Sequence, residues 1–400
     1  MEILNKSLPF ILLPIITKYL SPEEYGLYSL YQVLITFLLP FIGMSFNSNI
    51  TRNFYKINKD ELSKIVSSIL FLLNINVIIG LVVMYIITIF LNNPFNISNE
   101  LFLLMPIIIY VQVVNGFNLT ILRNENKPFK YGLIQISITL LNLVTTLFLL
   151  IMFNYGWESL ILGMLFGHFV VSILSFYHMY SSGYLNLKFH SFKEIYKISF
   201  PLIFHILGGS VIFLSDKLFI SEMLGIKEVG LYSVAMQFST ISMIVINSIL
   251  LAFNPWINKK LSLNDKSVVV SSYLLMLSFV VIGFFVWVLT YFLFDFMIAK
   301  EYSSAKGIII WGIIGFVIRG FYQVMYNVIL FKGKTNIFIF ITTFSMIINL
   351  IMNYYLIQLN GIVGAAQSTI ISFSLMFIFT AYYADKYSKY NWIGVKKCSI

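Results

Sequence analysis

The chain has 400 residues, 59% of them apolar, 17% aromatic and only 10% charged. Soluble proteins carry about a quarter charged residues, so a water-soluble globule is excluded and a polytopic membrane protein is expected. The net charge of +10 is spread thinly among apolar runs, which argues against nucleic acid as a partner, while one cysteine, Cys398, and four histidines without metal-ligand spacing leave no disulfide framework, metal site or cofactor to expect.

Apolar stretches bounded by Asn, Lys, Pro and Gly predict spans near 3–20, 24–51, 64–91, 100–123, 131–153 and 158–181. The second half repeats the pattern near 198–223, 229–256, 267–294, 305–331, 336–357 and 362–384. Each is long enough to cross about 30 Å of hydrocarbon. The first runs straight into Tyr19-Leu20-Ser21-Pro22-Glu23-Glu24 without a small-residue cleavage site, so the N-terminus is expected to be retained. Loops near 52–64, 123–130, 188–197, 259–266, 332–334 and 386–397 hold most of the Lys and Arg, against Lys18, Lys227, Lys300 and Lys306 on the opposite side. Cytoplasmic loops collect positive charge, so both termini are expected to be cytoplasmic.

The expected fold is therefore an all-α polytopic membrane protein of about twelve transmembrane helices in two six-helix lobes. Residues 1–182 form the first lobe, 183–197 a cytoplasmic linker, 198–384 the second lobe and 385–400 a cytoplasmic tail. An internal repeat supports the division. Glu24-Tyr25-Gly26-Leu27-Tyr28-Ser29 recurs as Glu228-Val229-Gly230-Leu231-Tyr232-Ser233, and Asn142 echoes Asn349 in the fifth helix of each half. Six helices per copy give both copies one orientation, as in parallel repeats about the membrane normal, with the cleft between them as the expected cavity.

Two further segments carry a family resemblance. Asn5-Lys6-Ser7-Leu8-Pro9-Phe10-Ile11 through Tyr25-Gly26-Leu27-Tyr28-Ser29 resembles the opening of the Wzx-type polysaccharide flippases. So do Ser215-Asp216-Lys217-Leu218-Phe219-Ile220 and Asn360-Gly361-Ile362-Val363-Gly364-Ala365-Ala366-Gln367. The resemblance implies the V-shaped fold of the multidrug/oligosaccharidyl-lipid/polysaccharide exporter superfamily. It further implies outward movement of polyprenyl-diphosphate-linked oligosaccharide units across the bacterial cytoplasmic membrane, alongside the polysaccharide polymerase machinery. Against that family the first span looks truncated, since Ile198 maps ahead of Met1. With the missing turns restored, Lys6 would lie inside the membrane.

A charge near the bilayer centre costs about 2.5–3.5 kcal/mol on insertion scales, so each is a functional candidate. Arg319 lies mid-span and is expected to line a wet cleft or meet an anion; a structural pair with a buried acid is the alternative. Lys217 is close enough to one end of its helix to snorkel. Asp216 precedes it, about 100° around the helix, and needs another partner, for which Arg319 is the candidate; an Asp facing an outer vestibule is the equal alternative. Arg52 and Arg123 end the second and fourth spans, where lipid phosphates explain them as well as substrate capture does; Arg52 is the better candidate. Gly163-x-x-x-Gly167 reads as close helix packing. The histidines read as packing or loop residues.

Moving a diphosphate outward against an inside-negative potential gains about 2.3 kcal/mol per charge per 100 mV, so the obstacle is the hydrocarbon barrier. Fixed cations in a cavity (Arg319, Lys217, Lys6, Arg52) lower it, and alternating access delivers the headgroup while its tail stays in the membrane lipid. Coupling to H⁺ or Na⁺ is not legible. A multidrug cation exporter of the same superfamily is the closest rival, but the deep charges here are mostly basic. A lipid-linked peptidoglycan-precursor flippase calls for two more helices. A glycan polymerase, an enzyme, calls for a large basic outer loop. No enzymatic activity is expected.

Overall fold

The computed structural model describes residues 2–90, 97–334, 336–388 and 390–392. The side chains of residues 2–9, 11, 204, 205, 208, 209, 213 and 336 fall outside that description, Lys6 and His205 among them, as does Cys398. Within the described residues all regular structure is helical, as hydrocarbon requires of a chain that must satisfy its own backbone. The helices are α1 (Glu2–Tyr19), α2 (Pro22–Gly43), α3 (Asn47–Asn53), α4 (Lys59–Phe90), α5 (Asn99–Asn124), α6 (Pro128–Met152) and α7 (Glu158–Ser181). There follow α8 (Phe192–Met223), α9 (Ile226–Ser262), α10 (Ser267–Met297), a 3-10 helix at Lys300–Ile308, α11 (Ile309–Phe331), α12 (Asn336–Asn360) and α13 (Ile362–Tyr387). Among the described residues ten helices are long and apolar enough to cross a membrane.

Several boundaries differ from the sequence reading; α4 starts at Lys59, α9 runs on to Ser262, and the span expected at 305–331 opens with a 3-10 helix. The span expected at 24–51 is broken: α2 stops at Gly43, Met44 and Ser45 take left-handed φ values of 44° and 52°, and α3 starts afresh. Pro40 has already removed one backbone donor from this last turn of α2. Arg52 consequently ends a separate seven-residue helix. In the second half, α8 reaches back to Phe192, ahead of the span expected from 198.

Local chemistry explains the remaining starts and close approaches. At the head of α2, Glu24 N–H donates to Ser21 Oγ (3.3 Å), while Ser21 N–H and Oγ donate to Glu24 Oε2 at 2.9 and 3.0 Å. This is a capping box, with Pro22 at the first helical position. The glycines of the two repeat copies meet each other. A Cβ on Gly230 would stand 1.8 Å from the Pro22 carbonyl oxygen, and one on Gly26 would stand 2.1 Å from that of Ile226. Gly163 and Gly167 likewise bring α7 against the α6 backbone at Asn142, as the sequence spacing indicated.

The chain separates into two compact units, Met1–Leu12 with Leu27–Ser210, and Leu13–Gly26 with Val211–Ile400. In the first, Tyr31 donates to the Leu101 carbonyl at 2.8 Å and Asn49 Nδ2 donates to Ser199 Oγ at 2.6 Å. In the second, the Tyr302 hydroxyl donates to the Leu20 carbonyl at 2.9 Å, and Tyr25 packs edge-on against the Tyr302 ring.

Candidate functional site

The second unit holds a knot of polar side chains drawn from four helices. Ser215 and Asp216 come from α8, Tyr232 from α9, Asn349 and Asn353 from α12, and Ser368 and Thr369 from α13. All are buried, Asp216 to 2% exposure. Asn349 and Asn353 stand four residues apart and so share one face of α12. The turn between α12 and α13 sets α13 against that face. Gly361 takes a φ of +60°, and a Cβ on Gly364 would lie 1.9 Å from the Leu356 carbonyl oxygen. The Asn360-Gly361-Ile362-Val363-Gly364 motif is thus the clamp that brings Ser368 onto Asn353 and Thr369 onto Asp216.

Asp216 Oδ2 accepts from the Tyr232 hydroxyl at 2.6 Å and the Thr369 hydroxyl at 2.8 Å, and Oδ1 accepts from Asn353 Nδ2 at 2.8 Å. Ser215 Oγ donates to Asn349 Oδ1 at 3.0 Å, and Ser368 donates to Asn353 Oδ1. Asn349 Nδ2 is buried without a partner, an uncommon cost inside a bundle. Asp216 is therefore held by three neutral donors, where the sequence pointed to Arg319. Helix facing explains the difference, because its carboxylate points to α9, α12 and α13. The three groups that face the carboxylate are all hydrogen-bond donors, and Asp216 is the single carboxylate of the knot.

Of the other sequence candidates, Lys217 is half-buried and is drawn electrostatically to its neighbour Asp216. Arg319 is half-buried on α11, interacting with Tyr322 one turn on. Tyr322 in turn packs on a core of Ile212, Ile341, Phe373 and Met376 from α8, α12 and α13. Arg52 is exposed, and Lys6 lies outside the described side chains.

Asn115, an intramembrane asparagine expected from its position to bond another helix, belongs to a second polar array in the first unit whose other members the sequence reading did not connect. His178 Nδ1 meets Asn118 Oδ1 at 2.7 Å, Asn118 Nδ2 donates to Ser175 Oγ at 3.2 Å, and Ser175 Oγ donates to Asn115 Oδ1 at 2.8 Å. Asn115 Nδ2 then donates to the His168 carbonyl at 2.9 Å. The clue was present in Asn115 and Asn118, three apart on α5, facing Ser175 and His178, three apart on α7. Where the chain leaves the membrane, Glu125 accepts from the Tyr184 hydroxyl at 2.9 Å and pairs with Lys127 at 3.0 Å.

An all-helical chain that crosses the membrane many times and keeps ionisable groups inside its bundles is built as a membrane transporter. The chain matches the polysaccharide biosynthesis protein family over residues 1–261 and belongs to that family; residues 201–355 also match the MatE family. The capsular polysaccharide biosynthesis protein CapF of Staphylococcus aureus is 25% identical over 402 aligned positions, covering 93% of each chain. An uncharacterized membrane protein of Haemophilus influenzae is 28% identical over 268 residues, which span 65% of this chain and 63% of the relative. Among solved structures, an inward-facing multidrug resistance MATE family transporter superposes with a TM-score of 0.77 at 15% identity, covering 95% of this chain and 94% of its own. The lipid II flippase MurJ, inward closed, gives 0.74 at 14% identity, covering 96% and 86%. These two likenesses establish the exporter fold, and the family match bears out the resemblance read from the sequence.

Proposed function

We propose that this chain moves polyprenyl-diphosphate-linked oligosaccharide repeat units from the inner to the outer leaflet of the cytoplasmic membrane for surface polysaccharide synthesis. The mode is alternating access, with both termini cytoplasmic and Asp216 taking the coupling cation. Family membership and the relation to a capsular polysaccharide biosynthesis protein support the substrate class. The observation that carries the mechanism is the Asp216 knot. A buried carboxylate whose hydrogen-bond donors are all neutral is expensive in a bilayer; Lys217 beside it offsets part of that cost, and a bound H⁺ or Na⁺ would offset the rest. Loading and release of that cation would bias the packing of α8 against α12 and α13, which is a differential affinity for two conformations. Arg319 and Lys217 would offer fixed positive charge to the diphosphate, and delivery of the lifted unit to the polymerase machinery would follow.

A multidrug exporter of the same superfamily is the second reading, favoured by the MatE match over residues 201–355. Two half-buried cations in that same region speak against cationic drugs as cargo.

The test is reconstitution in proteoliposomes with a fluorescent polyprenyl-diphosphate-linked glycan, under imposed H⁺ or Na⁺ gradients. Arg319→Gln should slow translocation about tenfold or more, a barrier increase of about 1.4 kcal/mol. Asp216→Asn should insert normally yet lose its response to whichever gradient drives the parent. Undiminished, gradient-sensitive transport in both variants would refute the proposal.

A further inference from the structure

We infer that α10 and α11 hold a zwitterionic phospholipid, one hydrocarbon chain in an apolar groove and the headgroup on the Lys306–Asp295 ion pair. Between these helices lies a cavity of about 390 Å³ with a wholly apolar lining that includes Gly283, Phe284 and Trp287 of α10 and Ile310, Ile314 and Val317 of α11. Its size is that of a small-molecule site. Gly283 forms its floor, since a Cβ there would stand 2.8 Å from Val317 Cγ2. The groove opens on the surface through Phe284 and Ile314, 58% and 38% exposed.

What selects the occupant is the end of the groove. One turn beyond Trp287 stands Tyr291, the two rings 6.1 Å apart. One turn before Ile310 stands Lys306, whose Nζ lies 3.8 Å from the Tyr291 ring centroid and 2.5 Å from Asp295 Oδ2. The apolar lining on both helices thus runs up to one fixed positive and one fixed negative charge. Trp and Tyr mark the depth at which chains give way to headgroups. A headgroup carrying both phosphate and ammonium matches the pair, phosphate on Lys306 and ammonium on Asp295. An anionic phospholipid leaves Asp295 opposed to its charge, and a diphosphate opposes it more strongly, which argues against the tail of a lipid-linked glycan as the occupant. The loop from α10 to the 3-10 helix is poor in cations relative to the alternate loops, so the positive-inside rule places this site in the outer leaflet.

Trp287 makes the site readable by fluorescence. The full chain is placed in vesicles containing brominated phosphatidylethanolamine or brominated phosphatidylglycerol, and the quenching lost in Trp287→Phe isolates the groove. Half-maximal quenching of Trp287 is expected at an about threefold lower mole fraction of the zwitterionic lipid, the scale of an exposed ion pair. Lys306→Gln and Asp295→Asn should each abolish that preference while circular dichroism and elution volume stay those of the parent. Equal quenching by the two lipids, preference for the anionic one, or preference surviving in both variants would overturn the assignment. So would displacement of the brominated phosphatidylethanolamine by trace polyprenyl phosphate, which would give the groove to the isoprenoid chain.

Discussion

Asp265 lies in the turn between α9 and α10, where it accepts from Lys260 Nζ and, at 2.9 Å, from the Ser267 N–H. The Lys260 hydrogen bond is the main cause that draws its carboxyl down from the ordinary 3.8 to about 2. A carboxyl depressed in the folded state stabilises above its ordinary value, and that contribution fades as the pH falls from about 4 to about 2. The thermal midpoint of the purified protein should therefore exceed that of Asp265→Asn at about pH 6, and the two should converge at about pH 2. An unchanging gap would mean that the turn does not depend on this charge. Asp216 differs in having neutral donors around it. Its intramembrane position was legible in the sequence, because an acid inside an apolar run is conspicuous. Its partners were not, because a one-letter string does not say which way a helix faces, and Tyr232 was visible only as part of a repeated motif.

Elements in this chain are joined by residues that leave room for backbone. At the crossing of α2 and α9, each repeat copy brings its glycine to the other's carbonyl, so the motif recurs because the contact is reciprocal. Gly230→Ala should destabilise by about 1–3 kcal/mol through overpacking, read as a lowered thermal midpoint and reduced yield, whereas Gly307→Ala, with nothing within 4 Å, should be silent. Most spans were readable because apolar runs of this length have few alternatives in a bilayer. The break before α3 was not. Pro40 announced a bend, but Met44 and Ser45 belong to residue types that seldom adopt left-handed conformations, so nothing in their identity marked a turn. The α5–α7 hydrogen-bond ladder was hidden for a related reason. Its residues are ordinary singly and become a chain only when two helices meet.

At the scale of the whole molecule the repeat is asymmetric in chemistry. Asn142 and Thr146 in α6 occupy positions like those of Asn349 and Asn353 in α12, with the same four-residue spacing. In the first half they serve packing: Thr146 donates to Asn142 Oδ1 at 3.1 Å, and Gly163 presses against both. In the second, Asn353 donates to an acid and Asn349 accepts from Asn353 and Ser215 beside it. If only the second knot carries the cation, Thr369→Val should raise the half-maximal driving-ion concentration for transport about tenfold, a loss of about 1.4 kcal/mol, while Thr146→Val leaves it unchanged. Equal shifts in the two variants would show that both halves contribute.

The hydrogen bond from Tyr302 to Leu20 joins residues 282 apart in the chain. The segment Leu13–Gly26 packs with a unit whose remainder is Val211–Ile400, all of it translated later. Its assembly must therefore await synthesis of the chain at least as far as Tyr302. A product terminated early would be left with an unclaimed membrane segment, a mark by which quality-control proteases can tell abandoned chains from finished ones.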